Sequence, residues 1–345
     1  MKYDIVVAFF GVLVFTGLFH HLAIRLNLLD TPGGRKQHHG AIPLIGGITM
    51  FLGFTFAIFI LPISLMPYRP FFAALGLIMI IGILDDFHEI SARVKLMMQI
   101  IAALIVILFG NTTVHQLGAL LPGLTTLHLG YLAIPFTVIA IVGIVNAINM
   151  IDGIDGLAGG VLLIQFISLL FLAIHANRLS DVRLLLLLVT VLVAFLLLNY
   201  PLPIRNRAII FMGDAGSMFL GFCLAWFCIH LSQIKPVAAS PVVFLWIIVI
   251  PLFDMSAVTF RRIFHKRSPF SPGRDHMHHI LLDLGLSVRQ VTFILYLISI
   301  VMAAIGIACH LLGVADSVLF IIIILLFIAY IVLLNYLLKW TKQKN

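Results

Sequence analysis

Eleven long apolar runs, separated by short polar islands, dictate what this chain can fold into. They lie near residues 3–24, 42–65, 70–84, 96–110, 131–145, 157–176, 183–200, 215–232, 240–259, 291–312 and 317–338. About 20 apolar residues in a helix cross the hydrocarbon of a bilayer, where the chain itself must bond every backbone N–H and C=O. The composition agrees: 62% of the 345 residues are hydrophobic and 10% are charged, a balance that excludes a soluble globular domain. The expected fold is an all-α, polytopic integral membrane protein of about eleven transmembrane helices. It is one domain over 1–345, with a longer polar loop at about 261–290. The first run has no small-residue cleavage site and is expected to remain as a helix. Cys223, Cys228 and Cys309 fall inside runs at a spacing that suits neither disulfides nor zinc, so they read as small buried hydrophobes.

Lysine and arginine set the orientation. With the N-terminus outside, sixteen of them, including Arg35, Lys36, Lys95, Arg205, Arg261, Arg262 and Arg274, fall on one side. Only Lys2, Arg69, Arg178, Arg183 and Lys235 fall on the other. The richer side, with the C-terminus, is therefore expected to be cytoplasmic. Ten of the thirteen acids fall on that same side, leaving Asp4, Asp181 and Asp316 outside. Acids contribute little to topology, so their gathering is separate evidence for a site at the cytoplasmic face. The net charge of +8 suits anionic lipid and requires no nucleic-acid partner.

Four islands carry the chemistry. Asp85 and Asp86 close the third run, where two carboxylates at a helix C-terminus need a cation; Arg93 and Lys95 are nearby bases, and Glu89 reads as exposed. From Asn146 to Asp155, two amides and two acids (Asn146, Asn149, Asp152 and Asp155) recur every third residue, with Gly153 and Gly156 after the acids. That spacing keeps Asn146 and Asn149 near one helix face, and the glycines permit a tight turn. Asp214, between Gly213 and Gly216, opens the eighth run as either an N-cap or a metal ligand. In the polar loop, Ser271-Pro272 reads as a helix start and Gly285 as its stop. On such a helix His276, His279 and Asp283 share a face, and helix-end amides with Arg274 and the imidazoles form an anion site. His38-His39 reads as an interfacial pair. Asp254, seven residues before Arg261, reads as a partner for that base, with a site role left open.

In this order the islands resemble the polyprenyl-phosphate N-acetylhexosamine-1-phosphate transferase family, from the first run to the histidine loop. The His276-Met-His-His279 form, beside Ser268-Pro-Phe-Ser-Pro272, is similar to the bacterial branch that uses UDP-N-acetylglucosamine and undecaprenyl phosphate. The resemblance implies transfer of GlcNAc-1-phosphate to the lipid at the cytoplasmic face of a bacterial inner membrane. UMP would be released in this first step of a lipid-linked cell-envelope glycan, such as an O-antigen or a teichoic-acid linkage. It implies Mg2+, with Mn2+ as an alternative, on Asp214 with Asn149 contributing. It makes Asp85, Asp86, Lys95, Asp152 and Asp155 catalytic, the last two near the nucleotide. Asn146 and Asn149 would bind substrate, Phe211 would stack on uracil, and Arg274, His276, His278 and His279 would bind the diphosphate and sugar. Two positions depart from the family pattern: Glu89 stands where Asp is frequent, and Gly273 where an acid is common. Another UDP-N-acetylhexosamine as donor, a homodimer, and an ion-coupled transporter remain open alternatives.

Overall fold

The computed structural model describes residues 2–30, 41–61, 63–123, 125–201, 207–268 and 273–344. Arg35, Lys36, His38-His39, Arg205 and the expected helix start at Ser271-Pro272 lie outside these residues. The chain folds as α1 (Lys2–Arg25), α2 (Gly46–Phe59), α3 (Arg69–His88), α4 (Ala92–Gly110), α5 (Ala133–Ile151), α6 (Leu157–His175) and α7 (Leu179–Asn199). It continues through α8 (Gly213–Gln233), α9 (Pro241–Ile247), α10 (Val249–Phe264), α11 (Met277–Asp283), α12 (Val288–Leu311) and α13 (Asp316–Lys344). Nine of the described helices are long and apolar enough to cross a membrane, or ten if the bent pair α9–α10 is one span. The protein is thus a multi-pass helical membrane protein.

Each of the eleven runs carries helix, but two are not simple spans. The run at 42–65 holds a helix of only 14 residues. The residue before a proline is pushed into extended backbone, and Ile42–Pro43 accordingly pairs antiparallel with Leu29–Asp30 before α2 starts. The run at 240–259 is broken at Ile248 and bent by 83°. Pro251 has no N–H for the Ile247 carbonyl and its ring clashes there, which ends α9.

Helix α8 is the core of the bundle. From Ala215 to Ser232 every residue but His230 is buried. Small residues let its neighbours approach backbone to backbone: a Cβ at Gly82 of α3 would meet Ala215 Cα at 2.5 Å. Close helix contact through such residues is the usual packing in lipid. It brings the C-terminal end of α3, with Asp85 and Asp86, against the N-terminal end of α8. Large apolar side chains on α1 and α13, such as Phe10, Leu325 and Val332, face outward.

The acids assigned to the opposite side do sit at the other end of the helices. Asp181 accepts hydrogen bonds from Tyr68 Oη (2.9 Å) and Arg178 Nε (2.5 Å), and Asp316 accepts one from Ser240 Oγ (2.6 Å). Cys223 and Cys228 are buried, Cys309 is half-buried, and all three are free thiols.

Candidate active site

The first three islands meet where α3, α4, α5 and α8 converge. Asp85, 3% exposed, accepts hydrogen bonds from the Ile90 N–H and from Lys95 Nζ, both at 2.7 Å. Lys95 Nζ also lies 3.7 Å from Asp214 Oδ2, so one ammonium spans two carboxylates. Asn149 Nδ2 donates to Asp214 Oδ1 (2.5 Å) and to Ser217 Oγ (2.9 Å). Four helices therefore supply one cluster of Asp85, Lys95, Asn149 and Asp214.

The Asp85-Asp86 pair divides its work. Asp86 accepts from the Asp214 N–H (2.7 Å) and the Ala215 N–H (3.1 Å), two of the donors that the start of α8 leaves unpaired. An anion is favoured there. The N-cap alternative for Asp214 is thereby overturned, because a carboxylate from α3 serves that end instead. Gly213 makes room for it: its φ is +69° and a Cβ would strike the Asp86 carboxylate. Asp86 thus acts on the cluster through the Asp214 backbone, while Asp85 faces Lys95 directly.

The island from Asn146 to Asp155 also divides. Helix α5 runs on to Ile151, so Asn146 and Asn149 are both helical. The three-residue spacing keeps them near one face as expected, but their partners differ: Asn146 donates to Gln99 Oε1 (2.7 Å) and the Val142 carbonyl (2.8 Å). Asp152 is half-buried in the turn beyond α5; burial, then the charges of Asp214 and Asp155, push its carboxyl up to about 7. Asp155 Oδ2 accepts from the Ala208 N–H (3.2 Å). Gly156 has a φ of +79°, which favours glycine. Its N–H donates to Asn199 Oδ1 (2.8 Å) and its carbonyl accepts from Tyr296 Oη. Asn199 also donates to the Ile210 carbonyl (2.9 Å), tying the turn to the segment that leads into Phe211. Phe211 is half-buried and joins its backbone to the start of α2, through Pro43 and Gly46 (2.9 Å each).

The histidine loop folds differently from its sequence reading. Helix α11 begins only at Met277, with His276 as its N-cap residue, and Gly285 (φ +97°) lies just past its end. His276 therefore does not share a helix face with His279 and Asp283. Its Nδ1 instead bonds Asp254 Oδ2 (2.7 Å), and the Met277 N–H donates to Asp254 Oδ1 (2.9 Å). Asp254 is thus no partner of Arg261. The Met277 amide is spent on Asp254 and Arg274 Nη2 bonds Asp283 Oδ1 (2.8 Å), so of the groups expected to bind an anion here Arg274 would have to exchange Asp283 for the ligand.

Burial lowers His278 to about 3 and His279 to about 4; the next causes are charge on His279 for the first and on Arg274 for the second. Both rings are neutral at pH 7. Arg262 grips Asp275 with two hydrogen bonds, at 2.6 and 3.1 Å. Burial would raise the Asp275 carboxyl, but the bond and charge of Arg262 hold it below the usual carboxylate range. The space a Cβ at Gly273 would take is filled by Asp275 Oδ1 and Arg262 Nη2. The loop reaches the second island at Gly153, where a Cβ would collide with the His278 ring. His278 is 1% exposed, and its Nε2 is buried without a hydrogen-bond partner among the described residues.

Sequence reasoning missed Gln99, Ser217, Asn199, Tyr296 and Tyr330 and undervalued Asp254. Only Asp254 carried a signal, being an acid inside an apolar run. Among the described residues no three histidine, cysteine or acidic side chains converge closely enough to cage a metal. A hard cation would find the carboxylate of Asp214 as a donor, and Asn149, whose amide N–H faces that carboxylate, would add its oxygen on turning the amide over. A cavity of about 370 Å³ opens beside Asp155, lined also by Pro201, Ser287, Val288 and Arg289.

Residues 68–232 match the model of glycosyl transferase family 4. The chain is 38% identical over 305 residues to an undecaprenyl-phosphate alpha-N-acetylglucosaminyl 1-phosphate transferase of Haemophilus influenzae, covering 88% of this chain and 85% of that one. It is 36% identical over 308 residues to the protein of the same description in Pasteurella multocida, covering 89% and 86%. With the one in Escherichia coli strain K12 it shares 32% over 301 residues, covering 86% and 82%.

Proposed function

This chain belongs to the family of undecaprenyl-phosphate alpha-N-acetylglucosaminyl 1-phosphate transferases, and from that premise we propose that it transfers GlcNAc-1-phosphate from UDP-GlcNAc to undecaprenyl phosphate. The observation that carries the reading is the cluster of Asp85, Lys95, Asn149 and Asp214, drawn from four helices and adjoining the Asp152 turn and the histidine loop. Acids and one base gathered at a single end of the bundle suit a phosphorylated substrate presented at a membrane surface. The sixteen-to-five distribution of lysine and arginine supports a site at the cytoplasmic face, and the bacterial relatives support a bacterial inner membrane.

In this reading an oxygen of the lipid phosphate attacks the phosphorus that carries GlcNAc. A new P–O bond forms to the lipid phosphate, and the bond to UMP breaks, with its electron pair leaving on UMP. A phosphate monoester with a second pKa of about 6 is largely dianionic at neutral pH, so positioning outweighs base catalysis. Lys95 stabilises negative charge on the phosphates, held in place by Asp85. Asp86 fixes the start of α8 and so aims Asp214. The donor set fits Mg2+, which takes one or two protein carboxylates and completes its shell with water and substrate phosphate. Asp214 and Asn149 would hold it, and when bound it would supply positive charge to the diphosphate. Asp152 and Asp155 bind on the nucleotide side with Phe211, and Arg274, His276, His278 and His279 close over the sugar diphosphate.

Purified protein with Mg2+, undecaprenyl phosphate and a panel of UDP-sugars should release UMP, most rapidly from UDP-GlcNAc. One diphosphate bond is exchanged for another, so added UMP should regenerate UDP-GlcNAc from the lipid product. No UMP from any sugar of the panel overturns the proposal.

A further inference from the structure

Asp254 lies in α10, outside the clustered islands, and is 3% exposed. Removing a carboxylate from water is costly unless its oxygens are well bonded. Among the described residues its three hydrogen-bond partners come from two places. His276 Nδ1 (2.7 Å) and the Met277 N–H (2.9 Å) belong to the histidine loop, and Tyr330 Oη (2.8 Å) belongs to α13. Hydrogen bonds to an ionised acceptor are the stronger kind. A carboxylate only accepts, so His276 carries its proton on Nδ1 and its ring orientation is fixed. The Met277 N–H is the first amide of α11, so Asp254 sets both where that helix starts and which way it runs. One helical turn holds His278 and His279, and His278 packs on Gly153 beside Asp152. Contacts thus run without a break from Tyr330 through Asp254 and α11 to the acidic turn.

We infer that Asp254, backed by Tyr330, is a positioning residue that clamps the histidine loop against the Gly153 turn and thereby sets the affinity for the UDP-sugar. The inference rests on the proposed reaction, in which this loop closes over the sugar diphosphate. Asp254 touches no substrate in this account. Its effect belongs to the UDP-sugar and not to the lipid phosphate, because its contacts lead to the loop and not to the Asp85–Lys95 pair.

The test uses the full-length protein in detergent, with Asp254→Asn and Tyr330→Phe. UMP release is measured while UDP-GlcNAc and undecaprenyl phosphate are varied separately, and hydrogen exchange is followed over 273–285. Asp254→Asn should raise KM for UDP-GlcNAc about tenfold, the scale of one charge-assisted hydrogen bond, and leave KM for the lipid unchanged. Exchange over 273–285 should quicken. Tyr330→Phe should move the same two readouts by about threefold, and it decides the matter alone if Asp254→Asn does not fold. A folded variant with unaltered KM for UDP-GlcNAc overturns the inference, as does an equal rise in both KM values. If the unaltered protein releases no UMP, the proposed reaction fails; the clamp is then judged by exchange, and unchanged protection over 273–285 in the variants overturns it.

Discussion

Asp86 and Asp214 show how two carboxylates 128 positions apart can share one task with unequal parts. Asp214 offers its side chain to the cluster, whereas Asp86 spends its own on the amides of Asp214 and Ala215. Asp214→Asn should therefore cost about 100-fold or more in turnover, since charge stabilisation by a bound cation is worth several kcal/mol. Asp86→Asn should lower stability by about 1–2 kcal/mol, as loss of a helix cap does, and reduce turnover less than Asp214→Asn. Thermal unfolding and UMP release on both variants check the order. Asp152 adds a pH dependence. Its carboxyl is raised to about 7, first by burial and then by Asp214 and Asp155, so it gains a proton and loses charge as pH falls through 7. Mg2+ affinity should fall over the same range. In Asp155→Asn, which removes one of the raising charges, the midpoint should move to lower pH in a titration of activity against Mg2+. The four islands could be read from sequence because acids and amides stand out against apolar runs. Gln99, Ser217 and Tyr330 could not: single polar residues inside helices give no sign of partners such as Asn146 or Asp254, which lie 47 and 76 positions away.

Helix α11 has only seven residues, too few to be stable by itself, so its position depends on what grips its ends. Gly153 is where it meets the acidic turn. Gly153→Ala would drive a methyl into the His278 ring and should raise KM for UDP-GlcNAc several-fold, on the scale of an overpacked contact costing about 1–3 kcal/mol. Steady-state kinetics with the sugar nucleotide varied would reveal it. Acid should loosen the same contact. His278 is lowered to about 3 by burial and by the neighbouring charge of His279, against about 6.5 in an unfolded chain. Between those values the unfolded state binds more protons, so stability is lost as pH falls below about 6.5 and is intact above it. By pH 5 the loss from His278 amounts to about 2 kcal/mol. Unfolding temperatures between pH 7 and pH 5 should fall less steeply in His278→Leu than in the unaltered protein. The start of α11 was misplaced in the sequence because Ser271-Pro272 satisfies local rules for a helix start. The stronger determinant, the Asp254 carboxylate, comes from 23 residues before Met277.

Across the whole molecule, apolar runs located every described helix but α11, because lipid leaves the backbone no other way to bond itself. They did not show that Pro251 folds one run through 83°, since hydropathy is blind to a missing N–H. Nor did they show that α8 lies at the centre of the bundle, which depends on small residues such as Gly82 and Gly216 meeting across helices. The contact of His278 with Gly153 has a consequence for how the protein is made. The turn that ends at Gly156 is synthesised early, and the histidines that cover it follow 123 residues after Asp155. At about 5–20 residues per second, a ribosome takes roughly 6–25 s to cover that distance. For that interval Asp152 and Asp155 lack the histidines that cover their turn, and Asp214 joins them only 59 residues after Asp155, a nascent state that membrane insertion and quality control must tolerate in every copy.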